Sequence, residues 1–436
     1  MSFPQAHPTR RPLAEAPLRP ASKGTARPVT HPHPTPDRRG AAGAHALPHP
    51  AAWRLPRLPS RPLDRPLLVG LAAWAVIAGV VVAVAAGSID LAVYLRAAAD
   101  LAAGRDPNAT PAGALPWLYP PAAAALFVPL VALPQPVAAG LVALASLAAL
   151  ARLLHLVLAR LVPGRGDLTV LAVALAVVSE PVTSTLGYGQ LNLVVAWLVA
   201  EGFLGRRRWL VGVAAGLKLT PLVFLLPLIV RRDRRGLAET CAGFAGTVAL
   251  GWLVAPTASL GYWTGLFLQA PARVGAAYAS NQSLTAAAWR AFGPGGAAPL
   301  VLVGSALVVG VTALVLWRFP ADDVLALGVT GLAGVLLSPL SWVHHWVWLL
   351  VLVPWLLAHG FRVLALAWAA ATTLRPVWWY PSGAGLEFTH DPLGKLLQAS
   401  WTVLALVTLG VLASTRGARD TAVAPSVPAA ATGSPR

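Results

Sequence analysis

Residues 341–350 read SWVHHWVWLL, two adjacent imidazoles inside a run of tryptophan, valine and leucine. Titratable side chains are costly in such a run, so His344 and His345 stand as candidates for a site. Other isolated polar residues have the same standing. Asp90 follows an apolar stretch, Gln190 and Asn192 sit at a turn between two others, and Asn281, Gln282 and Ser283 lie in a longer connection with Arg273 and Arg290 near them. A carboxylate, imidazoles, amides and guanidinium groups can transfer protons and bind anions. Each also has a plainer alternative. Asp90, two residues after Ser88, could cap a helix. The histidines could snorkel to a membrane interface, with Trp342, Trp346 and Trp348 as an aromatic belt. Asn192 could link two helices by a hydrogen bond, and Lys218 could reach cytosolic phosphates from a helix break.

The elements that must position these residues are set by composition. The chain has 436 residues, 57% hydrophobic and 11% charged, with mean hydropathy +0.66. That is too little charge to cover a soluble protein. Many apolar runs reach or approach membrane-spanning length, and lipid offers backbone groups no partner outside a helix. The expectation is an all-α polytopic membrane protein. The single cysteine, Cys241, excludes an intramolecular disulfide and a cysteine metal cluster. The net charge of +17 is carried by the tails and short loops, a topology signal and no nucleic-acid footprint. Neither a phosphate-cradling glycine loop nor an HExxH helix is present.

Residues 1–65 form a basic, proline-rich segment expected to be a disordered cytoplasmic tail. Residues 66–414 are the membrane domain, and 415–436 a second disordered tail. Spans are expected at about 67–87, 136–161, 168–182, 191–204 and 237–255, then near 298–317, 324–342, 346–358, 361–379 and 394–413. The run 120–134 is too short to cross and reads as a half-inserted hairpin. Arg206–Arg208 and the cluster from Arg231 to Arg235 are separated by about 22 residues that contain Lys218 and Pro221. A pair of short helices broken there keeps both clusters on the cytoplasmic side. Both termini are then cytoplasmic, with an even number of crossings, about ten to twelve. Asp90, Gln190, Asn192, Asn281, Gln282, His344 and His345 gather at the outer boundary, with Arg375, His390, Asp391 and Lys395.

The motifs, taken in order, resemble glycosyltransferase family 87, the actinobacterial polyprenyl-phosphate-mannose-dependent membrane mannosyltransferases of the GT-C class. The pieces that carry the resemblance are DLAVY at 90–94, LYPP at 118–121, GQLN at 189–192, GLKLTP at 216–221, NQSL at 281–284 and SPLSWVHH at 338–345. Together they span about 67–413. The resemblance implies a GT-C fold with an outward-facing active site in the plasma membrane. It implies inverting transfer of mannose from a polyprenyl-phosphate donor to an extracytoplasmic glycolipid or glycan of the cell envelope, with Asp90 as general base. No second acidic residue adjoins Asp90, so no metal and no other cofactor is expected. The donor phosphate is assigned to His344 and His345, with Arg273 and Arg290 as further candidates. Gln190, Asn192, Asn281, Gln282, Tyr94, Tyr119 and Trp342 complete the expected substrate-binding set. Arabinose or glucose as donor sugar is the alternative within the same architecture. A lipid or sugar transporter is a more distant one, since neither internal repeats nor midplane charges are seen.

Overall fold

The computed structural model describes residues 61–112, 114–269 and 274–415. Residues 1–60 and 416–436 of the two expected tails, and Arg273, therefore lie outside the described residues. All the regular elements within them are helical, apart from one antiparallel bridge between Asn281 and Trp342.

Helix α1 (Arg65–Ala85) starts with a proline in its first turn, where the missing N–H costs nothing. It is followed by Gly87 and Ser88, both with positive φ, which turn the chain into helix α2 (Ile89–Ala102). The run 120–134 forms only α3 (Pro121–Ala125) and a short 3-10 turn, so it does not span. Helix α4 (Gln135–Leu161) is long and apolar enough to cross a membrane unbroken. The expected span 168–182 is instead a bent pair, α5 (Asp167–Ala176) and α6 (Glu180–Tyr188), at 72° to each other. Pro181, in the first turn of α6, cannot continue the ladder of α5. Helices α7 (Asn192–Leu204) and α8 (Trp209–Leu217) follow, and α8 stops at Lys218. A 3-10 turn over Thr220–Phe224 then leads into α9 (Leu225–Val230), so the chain breaks where Lys218 and Pro221 stand.

The break returns both arginine clusters to one end of the bundle. Arg208 Nε lies 3.6 Å from Asp233 Oδ2, and Arg231 pairs with Asp323 at 2.5 Å. Helix α10 (Arg234–Val254) packs on α8 with almost no side chain between them. A Cβ at Gly212 would collide with the Thr240 carbonyl, and one at Gly243 with that of Trp209. Small residues of this kind let membrane helices approach closely. The contact fixes the depth at which α8 delivers Lys218.

The long connection after α10 is more helical than its sequence suggests. It contains α11 (Pro256–Trp263), and α12 (Leu284–Arg318) begins inside it. The expected span 298–317 is the second part of α12, bent at Gly293 where φ is 74° and Pro294 follows. Helices α13 (Asp323–Leu337), α14 (Leu349–Ala358) and α15 (Arg362–Leu374) come next, and the chain closes with a pair bent by 68°, α16 (Pro392–Gln398) and α17 (Ser400–Ser414).

Among the described residues, four helices are long and apolar enough to cross a membrane, or six if each bent pair counts as one span; five further apolar helices are shorter. Large side chains are turned outward on the long helices, with Ile77 63%, Leu253 81% and Leu302 73% exposed. Such a surface needs lipid against it. The protein is a multi-pass, all-helical membrane protein. Its own core is tight by contrast. Trp346 packs against Trp368 and Trp401, and Trp348 against Phe224. Both indoles are buried in protein, so the aromatic-belt reading fails for them.

Candidate active site

A cavity of about 890 Å³ opens among α2, the α6–α7 turn, the break after α8, the connection after α10 and the segment 338–345. Asp90, Tyr94, Tyr119, Gln190, Lys218, Trp342, His344 and His345 all line it. Residues spread over 250 positions of sequence thus meet because α2 and the two breaks converge at one end of the bundle.

Asp90 sits in the first turn of α2, where the helix dipole favours a negative charge. It is not the cap: that position is held by Ser88, whose hydroxyl bonds the Ala83 carbonyl instead. Asp90 Oδ2 accepts a hydrogen bond of 2.7 Å from Gln190 Nε2. Gln190 follows Gly189, which ends α6 in the left-handed region at φ 70°. A Cβ there would stand 2.7 Å from Leu91 Cβ. Gly189 therefore meets both demands at once, the turn and the close approach to α2 that brings Gln190 onto Asp90. The Gln190 carbonyl accepts from Tyr94 Oη at 2.5 Å and Tyr119 Oη at 3.1 Å, and the two phenols lie 2.8 Å apart. Burial holds the Asp90 carboxyl above its ordinary range, opposed by the Gln190 hydrogen bond and the charge of Lys218.

The histidines stand on a 3-10 turn, Val343–Trp348, ahead of α14. Asn281 makes that turn possible. Its Nδ2 donates to the Pro339 carbonyl at 2.9 Å, and its Oδ1 accepts from Ser341 N at 2.9 Å. Gln282 N donates to the Ser341 carbonyl at 2.8 Å. Irregular backbone at such depth persists only where its polar groups are satisfied by protein. The His344 carbonyl is held by Asn192 Nδ2 at 2.9 Å and Thr185 Oγ1 at 3.1 Å. Its ring packs edge-on to Tyr188 and His345, and among the described residues neither ring nitrogen has a hydrogen-bond partner.

Several expected binding residues do other work. Asn281 and Gln282 are 0% exposed, and the Gln282 side chain bonds the Ala279 and Gln398 carbonyls and Trp401 N. Their amides are used up in joining backbone segments, which leaves them nothing for a sugar hydroxyl. Arg290 is likewise buried, with its guanidinium on the carbonyls of Ala277, Tyr278, Asn281 and Gln398. It is a bracket for the connection after α10 and does not line the cavity. Asn192 is a helix link, as its alternative reading had it, and it also accepts from Lys218 Nζ at 2.7 Å.

Lys218 is the residue that sequence reasoning left out of the site. It lines the cavity with its ammonium 5.5 Å from the Tyr119 ring centre, and no ion pair holds it among the described residues. The signal was there: a lysine in an apolar run, inside the GLKLTP motif. A helix break between the two arginine clusters points its tip to the opposite end of the bundle from them.

The fold and the site together define an integral membrane protein in which, among the described residues, one carboxylate, one ammonium and two imidazoles line a cavity at one end of the helical bundle. The profile of glycosyltransferase family 87 matches residues 117–339. A polyprenol-phosphate-mannose-dependent alpha-(1-2)-phosphatidylinositol pentamannoside mannosyltransferase of Mycolicibacterium smegmatis is 36% identical over 319 residues, 66% of this chain and 77% of its own length. A polyprenol-phosphate-mannose-dependent alpha-(1-2)-phosphatidylinositol mannoside mannosyltransferase of Mycobacterium tuberculosis is 33% identical over 415 residues, 82% of this chain and 96% of its own. No solved structure matches the chain. The chain belongs to glycosyltransferase family 87 and is a glycosyltransferase.

Proposed function

We propose that this enzyme transfers mannose from a polyprenyl-phosphate donor to a lipid-anchored mannoside of the phosphatidylinositol mannoside kind, at the outer face of the plasma membrane. The observation that carries the reading is Asp90, a half-buried carboxylate held by Gln190 at the wall of a cavity that also presents Lys218 and His344. The relatives' donor and acceptor supply the substrate class.

The acceptor hydroxyl loses its proton to Asp90 as its oxygen attacks the anomeric carbon. The bond from that carbon to the phosphate oxygen breaks, and its electron pair leaves with polyprenyl phosphate. General-base help of this kind contributes about 10²–10⁴-fold. Lys218, with His344 and His345 beside it, is suited to the charge that grows on the departing phosphate. Among the described residues Asp90 is the one carboxylate lining the cavity. That supports a single displacement with inversion, since a double displacement calls for a carboxylate nucleophile and a separate acid–base group. The donor set also supports a metal-independent reaction: an ammonium beside a lone carboxylate is a poor seat for a divalent cation, which takes several oxygens.

The test is transfer by purified protein in liposomes containing polyprenol-phosphate-mannose and phosphatidylinositol mannoside. The wild type should extend the acceptor, and Asp90→Asn should lose most turnover while donor binding persists. Transfer from arabinose or glucose donors but not from mannose would replace the sugar. Lipid movement without transfer would favour transport.

A further inference from the structure

We propose that Gln190 is the positioning residue for Asp90, and that Tyr94 and Tyr119 act through it by fixing which way its amide faces. The proposal rests on reading Asp90 as the general base. A glutamine amide has two unlike ends of nearly equal shape. An ionised carboxylate only accepts, so Asp90 needs the NH2 end; the flipped amide would set oxygen against oxygen. The choice is made at the far end, where both phenolic hydroxyls converge on the amide oxygen. Protonated phenols have protons to donate, and a carbonyl is their best acceptor here.

The phenols cannot follow the amide if it turns. Tyr94 is 1% exposed and packed between Phe127, at 4.7 Å between ring centres, and Trp117, at 5.6 Å. Tyr119 meets Tyr94 edge-on at 5.2 Å and Trp117 at the same distance. Gln190 is itself buried and anchored behind Gly189. Asp90 Oδ2 is thereby tied down, while Oδ1 carries no hydrogen bond among the described residues and remains able to take the substrate proton. An amide between phenol and carboxylate transmits orientation without offering an acidic proton. A phenol placed directly on Asp90 would compete with the substrate hydroxyl for the same oxygen.

The groups around Asp90 are Lys218 from the helix break, Tyr94 from its own helix, Tyr119 from the segment before α3, Tyr188 from α6, and His344 and His345 across the cavity. None of these reaches the carboxylate by a hydrogen bond; among the described residues only Gln190 does. Its removal should therefore weaken the ionised form.

The experiment is the pH profile of kcat/KM in liposomes with polyprenol-phosphate-mannose and phosphatidylinositol mannoside. Gln190→Met keeps the shape and removes the hydrogen bonds. It should lower kcat about tenfold or more and move the acid limb to higher pH, with donor KM little changed. Tyr94→Phe and Tyr119→Phe should each give a smaller change in the same direction. In the Gln190→Met background those two effects should vanish, because residues that act through one group are not additive. A kcat loss with an unmoved acid limb would make Gln190 merely structural, and undiminished tyrosine effects in the double variants would break the proposed chain. If Gln190→Met does not purify, the limb shift of the two phenylalanine variants decides alone. Near-normal turnover by Asp90→Asn would instead remove the base itself, a separate failure.

Discussion

Lys218 and His344 are joined through one side chain: Lys218 Nζ donates to Asn192 Oδ1 at 2.7 Å, and Asn192 Nδ2 donates to the His344 carbonyl at 2.9 Å. The ammonium at the helix break and the imidazole on the 3-10 turn are therefore set relative to each other by the first residue of α7. A lysine has three donors, and this link uses one of them.

Lys218→Met should remove the charge and keep most of the stem. A charge-assisted hydrogen bond is worth about 1.5–3 kcal/mol, so polyprenyl phosphate should bind roughly 10–150-fold more weakly. Titration of the purified variant with polyprenyl phosphate checks this. Unchanged affinity would take Lys218 out of the phosphate site.

His344→Ala and His345→Ala should weaken the same binding while the protein still inserts and purifies. Their ring positions follow from a backbone held elsewhere, by Asn281 and Asn192. If the double variant binds donor as well as the wild type, the imidazoles fill space only.

The helix break, the gathering of Asp90 and the histidines at the end of the bundle away from the arginine clusters, and the all-helical class were legible, because each follows from where apolar runs stop and arginines stand. The roles of the amides were not. Gln190 and Gln282 look alike in sequence, each in a short polar stretch, and their difference is which backbone approaches them. Gln282 meets the Gln398 carbonyl and Trp401 N, more than a hundred residues away, and Gln190 meets a carboxylate. The tryptophans misled for a similar reason: an indole near a helix end suits an interface, but the partners of Trp346 are Trp368 and Trp401. The place of Lys218 was less legible, because the end of the bundle that a lysine at a helix break faces depends on whether the chain reverses there.

Asn281→Ala would leave Ser341 N without its acceptor inside protein. An unsatisfied buried donor costs about 1–3 kcal/mol. The thermal midpoint in detergent should fall, and donor binding should weaken with it because the 338–345 segment loosens. A variant as stable as the wild type would show that the bridge to Trp342 holds by itself.

The Arg208–Asp233 contact requires one side for both arginine clusters. Reporters fused after Arg208 and after Arg235 should give the same sidedness, and by the charge rule that side is the cytoplasm. Opposite sidedness would mean a continuous span through Lys218.

The pH dependence of transfer follows from Asp90. Burial raises its pKa, while the Gln190 hydrogen bond and the charge of Lys218 lower it, and burial prevails. A base works only when deprotonated, so activity should be present above the raised pKa and should fall as pH drops through it. The acid limb of kcat/KM should therefore lie above the ordinary carboxylate range near 4. Lys218→Met removes one of the two opposing influences, so its limb should lie higher still. A lost phosphate contact alone would raise donor KM and leave the limb where it was, which makes the two roles of Lys218 separable in one profile. A wild-type limb at or below the ordinary carboxylate range would mean that Asp90 is not the group whose ionisation limits transfer.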